Sequence, residues 1–164
     1  SVAASDLGDD VLTHLAEIRL AQGEHDAARA LYERIVDEHP YPQGERWDDT
    51  LWRLADLAEA RGEPRAAVAY LERMIAPRSE GIPPGSYVQP RMPEAALRIA
   101  RIHRDALRDR DAAASAFRRA HDWFPTSLVR DDTGDGACEI VYVTDIEIAP
   151  AQPRGTYVQH ASAE

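Results

Sequence analysis

The residues in this chain that could do chemistry are few, and their spacing argues against most of it. The six histidines, at positions 14, 25, 39, 103, 121 and 160, show no metal-ligand spacing, and no H-E-x-x-H occurs. G-x-S-x-G and the phosphate-binding glycine loop are also missing from the sequence. His103 and His121 lie beside apolar stripes and His25 at a turn, where packing or surface roles suffice. The single cysteine, Cys138, has no adjacent cation to lower its thiol pKa, which speaks against a nucleophile. One cysteine also excludes an internal disulfide framework and a Cys-based zinc cage. The acidic run Asp131, Asp132, Asp135 and Glu139, set around Gly134 and Gly136, offers oxygen ligands of the kind that hold Ca²⁺. Its spacing is wrong for an EF-hand, because Tyr142 stands where that loop needs its bidentate glutamate. A solvated turn is the plainer reading, so the expectation is no catalytic residue, no metal and no cofactor.

Bulk properties narrow the partner. The chain has 164 residues and a net charge of -10, from 29 acidic against 19 basic side chains. That balance disfavours DNA, RNA or an anionic membrane as main partner and suits solubility or a basic protein. Its 44% hydrophobic and 29% charged content is ordinary for a globular chain, and its length allows a buried core. No apolar run approaches the roughly 18 uncharged residues that span a bilayer. The opening SVAASDLGDD has neither a basic region nor an apolar core of a signal peptide. A start at Ser1 without Met points to a mature or trimmed chain, so this carries little weight.

The elements that must position any site are helical. Residues 12–40 read as two short helices joined at Gln22-Gly23-Glu24 and closed by Pro40. The second helix carries Ala28, Leu31, Tyr32, Ile35 and Val36, the stripe of a helix buried on one side. Asp9 or Asp10 is the expected N-cap of the first, which carries Val11, Leu12, Leu15 and Ile18. Asp48-Asp49-Thr50 looks like a second capping cluster. It opens a pair with Leu51, Leu54, Ala55 and Ala58 on one face, then Ala67, Tyr70, Leu71, Met74 and Ile75. Pro64 falls in the first turn of the later helix, where a missing N–H is tolerated. A third pair carries Leu97, Ala100 and His103, then Ala113, Ala116, Phe117, Ala120 and Phe124. Gly23 and Gly62 stand 39 residues apart, and Ala67 and Ala113 stand 46 apart, so the connectors absorb the difference.

Leu-x-x-Leu-Ala, the Gln-Gly-Glu turn and the Ala28, Tyr32, Pro40 positions resemble tetratricopeptide repeats, in three copies over residues 9–125. The second copy lacks the terminal proline, and the third has Arg108 where the turn glycine belongs. The connector style is similar to repeats of bacterial envelope proteins, such as the Tol-system periplasmic coordinator and outer-membrane assembly lipoproteins. That likeness favours a periplasmic or envelope location. The resemblance implies a groove lined by the first helix of each pair. Its contact positions would be Thr13, Glu17 and Leu20; Trp52, Asp56 and Glu59; and Arg98, Ile102 and Asp105. Trp52 is either an aromatic anchor for a partner or a side chain packed on the neighbouring repeat.

Two segments depart from the repeat. Residues 77–93 are rich in Pro and Gly and too long for a routine turn, with Tyr87 as a contact candidate. In the tail 126–164, EIVYVTDIEI at 139–148 alternates like a strand, with Ile140, Tyr142, Ile146 and Ile148 on one side. A lone strand needs an edge to join. Gly155-Thr156-Tyr157-Val158-Gln159, which nearly repeats Gly85-Ser86-Tyr87-Val88-Gln89, is either such an edge or a chance echo. The expectation is an all-α solenoid, 1–125, with helix pairs at about 9–40, 48–76 and 93–125 and an extended tail, 126–164. Its function would be to hold a partner protein or peptide. The alternative is a structural subunit whose strand pairs with a neighbouring chain, including another copy of itself.

Overall fold

The computed structural model describes residues 8–79, 91–125, 127–132 and 138–142. Among these residues six helices follow one another: α1 (Asp9–Ala21), α2 (His25–Glu38), α3 (Trp47–Ala60), α4 (Pro64–Ser79), α5 (Arg91–Asp105) and α6 (Arg110–Trp123). Each packs on the helix before and the helix after it, giving three helix pairs in an all-α solenoid. The apolar stripes supply one continuous core, from Leu12 and Ala16 through Tyr32, Leu51, Leu71 and Ile99 to Phe117.

The turns inside the pairs are set by single residues. Gly23 and Gly62 have φ of 77° and 72°, the left-handed conformation glycine adopts freely. Each lets the next amide reach back five residues, Glu24 N–H to Arg19 O and Glu63 N–H to Ala58 O, closing the helix end. The third turn puts Arg108 at φ 56°, where a side chain is disfavoured by about 1–2 kcal/mol. That turn is one residue longer and ends on Asp109, whose carboxylate accepts the Ala112 N–H and caps α6.

Several boundaries differ from the sequence expectation. Gly8, not an aspartate, is the N-cap of α1; Asp9 and Asp10 lie in the first turn, where the helix dipole favours them. Likewise Asp48 and Asp49 are inside the first turn of α3, behind Arg46. Helix α4 runs on past Ala76 to Ser79 with Pro77 inside it, and α5 starts at Arg91 rather than Pro93. Pro93 is the third helical residue, one of those whose N–H has no partner within a helix. The first connector is closely folded. A Cβ at Gly44 would come within 2.0 Å of the His39 carbonyl oxygen, so only glycine fits. Trp47 seals this connector against the core with Tyr41 at 5.8 Å between ring centroids.

The first part of the expected tail strand is described, and it pairs with a segment that the sequence reading had not assigned to a strand. β1 (Leu128–Asp132) and β2 (Cys138–Tyr142) form an antiparallel hairpin in the register Leu128↔Tyr142 to Asp132↔Cys138. β1 packs against α5 and buries Val129. Ile140 and Tyr142 thus lie in β2, while Ile146, Ile148, Asp135 and both Gly-x-Tyr-Val-Gln segments lie outside the described residues. Asp131 and Glu139 are register partners in the hairpin, and no metal-holding cluster occurs among the described residues.

Candidate functional site

The first helices α1, α3 and α5 are tied to one another by ion pairs that run forward along the array. Asp10 and Glu17 of α1 meet Arg46 at 2.8 Å and Arg53 at 3.8 Å. Asp49 and Asp56 occupy the equivalent positions of α3 and meet Arg91 at 2.9 Å and Arg98 at 2.6 Å. Arg98 also reaches Glu59 at 2.8 Å and lies 4.6 Å above the Trp52 ring, with Arg91 at 5.6 Å from the same ring. On α5 the equivalent positions hold Glu94 and Arg101, and no further first helix follows among the described residues to receive them.

Between α1 and α3 lies a hollow of about 320 Å³. Thr13 and Glu17 line one wall; Trp52, Arg53 and Asp56 line the other; Arg91 closes one end. Tyr32 of α2 reaches it from within the core, and its buried hydroxyl has no hydrogen-bond partner among the described residues. Burial pushes the Tyr32 phenol up; the nearby Arg53 guanidinium acts against this and Glu17 with it. At the start of α3, burial also raises the Asp48 carboxyl above the usual carboxylate range.

The positions named from the sequence separate into three groups. Glu17, Trp52 and Asp56 come together at the hollow, as does Thr13, whose hydroxyl donates to the Asp9 carbonyl at 2.7 Å. Glu59 and Arg98 sit beside it, bonded to each other, and Trp52 is partly buried against the core with the two arginines over its ring. Trp52 thus lines the hollow while two arginines of the neighbouring repeat lie over its ring. The others lie elsewhere. Ile102 is only 6% exposed and belongs to the core, so it offers no groove contact. Its burial has a cause: α5 is covered by α4, α6 and β1 together. Leu20 packs partly on the core. Asp105 is bonded to Arg104, which holds its carboxyl below the usual range. Tyr87 lies outside the described residues.

The sequence reading passed over Arg46, Asp49, Arg53, Arg91 and the Tyr32 hydroxyl. One signal was available for the last. Tyr32 stands where the later pairs carry Leu71 and Phe117, so it brings a polar atom to an otherwise apolar core position.

The tetratricopeptide repeat family matches residues 10–40 and 49–76, which are the first two helix pairs. No curated protein and no solved structure matches the chain. The third pair, with Arg108 at its turn, lies outside the matched residues but continues the same packing. The helical array is an α-solenoid of tetratricopeptide-like repeats.

Proposed function

We propose that this chain is a non-enzymatic interaction module that holds a partner protein or peptide along the face formed by α1, α3 and α5. Tetratricopeptide repeats generally mediate protein–protein interactions. The observation that carries the reading here is the hollow itself. Side chains from successive first helices converge on it, and half-exposed charged groups surround an aromatic ring. The net charge of -10 makes a basic partner the better electrostatic match. An envelope location is part of this proposal and rests on the connector style alone. Cell fractionation of the native protein tests it.

The groove is tested by affinity capture from native lysate with wild type, Trp52→Ala and Arg53→Glu chains side by side. Arg53 is exposed, so reversing its charge leaves the packing alone. The expected result is loss of the same captured protein from both variants, with helical circular dichroism unchanged. Equal capture by all three overturns the groove.

A second reading, an assembly subunit built through the tail strand, is favoured by one feature. β2 has β1 on one side and no strand on the other among the described residues. Removing residues 139–164 would also unpair β1, so the cleaner test deletes 143–164. Light scattering should then show a fall in mass if the tail links copies, and no change if it does not.

A further inference from the structure

The ion pairs along the first-helix face are alike in position but not in closure. Asp56 and Arg98 meet at 2.6 Å, whereas the equivalent joint one pair earlier, Glu17 and Arg53, stands open at 3.8 Å. A closed charge-assisted bond spans about 2.7–2.9 Å, so this carboxylate and guanidinium do not satisfy each other. Both are about half exposed. Around them the polar groups are committed: Arg46 to Asp10, Arg91 to Asp49, Arg98 to Asp56 and Thr13 to the Asp9 carbonyl. Close to the open joint sits the Tyr32 hydroxyl, 99% of its residue buried and without a partner among the described residues. A buried hydroxyl left unpaired is unfavourable, and it shares one 320 Å³ hollow with this loosely paired, half-exposed carboxylate and guanidinium.

We propose that the hollow takes a neutral amide of the bound polypeptide. This rests on the groove reading and names the chemistry of what the groove holds. An amide presents a donor and an acceptor side by side. Its N–H donates to the Glu17 carboxylate, its carbonyl accepts from the Arg53 guanidinium, and the Tyr32 hydroxyl supplies a third hydrogen bond. A ligand carboxylate would be set against Glu17 and an ammonium against Arg53. An apolar group would cover all three and pair none. The amide has two sources, a glutamine or asparagine side chain or the peptide backbone.

Nuclear magnetic resonance titration of the ¹⁵N-labelled full chain tests this, with the N-acetyl methylamides of glutamine, alanine, glutamate and lysine as probes. The glutamine probe should shift the Glu17 and Arg53 signals. If the alanine probe does so equally, the backbone is the source; if it does not, the side chain is. A larger response to glutamate or lysine than to both neutral probes, or no response to any, overturns the assignment. Tyr32→Phe should weaken the responding probe about fivefold, the worth of one hydrogen bond, without lowering the melting temperature. Unchanged affinity in that variant also overturns it. Capture that still depends on Trp52 and Arg53 while the probes fail would sink the amide alone and leave the groove standing.

Discussion

Two tyrosines show how differently the two faces of this solenoid are finished. Tyr70, on α4, donates its hydroxyl to Glu33 at 2.5 Å and accepts from Arg29 at 3.2 Å. Arg29 in turn reaches Glu63 at 2.8 Å and lies over the Tyr70 ring at 5.7 Å. That network ties α2 to α4 with its main groups paired. Tyr32 is more deeply buried, yet its hydroxyl bonds to nothing among the described residues and lies near the loose Glu17–Arg53 joint of the opposite face. Burial raises both phenols. The second-helix face spends its polar groups on holding repeats together, and the first-helix face keeps some in reserve.

The largest test of that contrast is truncation. Tyr32→Ala should lose about 3–5 kcal/mol of unfolding free energy, as for large aromatic core residues. Chemical denaturation measures it, and a loss below that of Tyr70→Ala would break the comparison. Removing the hubs should separate the faces next. Arg29→Ala leaves Glu33, Glu63 and the Tyr70 hydroxyl short of a donor and should cost about 1–2 kcal/mol. Arg53→Ala, at a half-exposed pair, should stay within about 0.5 kcal/mol. Finer still is the loss of single hydroxyls. Tyr70→Phe should lower stability by about 1 kcal/mol, whereas Tyr32→Phe should leave it unchanged or raise it. Equal losses would mean that the Tyr32 hydroxyl is satisfied in solution.

The smallest effect lies in pH. Asp48 has its carboxyl raised by burial, so the folded chain holds that proton more tightly than the unfolded chain. Its contribution is therefore most favourable below about pH 4, the unfolded carboxyl value, and is lost as pH rises through the higher folded value. Asp48→Asn should flatten that part of the melting-temperature profile. A variant whose profile parallels the wild type would show that Asp48 is not the group responsible.

Helix pairs were legible because each stripe follows the 3.6-residue period, and Gly23 and Gly62 mark turns that need positive φ. The burial of Ile102 had a sequence signal that the groove assignment overrode. From Ala95 to Ile102 only Arg98 and Arg101 interrupt small or apolar residues, the mark of a helix covered on more than one side. The pairing of the tail strand was harder. Arg130-Asp131-Asp132-Thr133 echoes the run that opens α3, and nothing local says that the same letters will extend beside 138–142. Charge partners such as Asp56 and Arg98 were illegible for another reason. They lie 42 residues apart, and their meeting depends on how far each pair is offset from the last.

The guanidinium of Arg98 resting on the Trp52 indole gives the protein an optical gauge of its own. Prying the third repeat from the second lifts a cation from that π surface, and the light it emits must change with the separation. Strain anywhere along this joint is thus written into a signal that needs no dye.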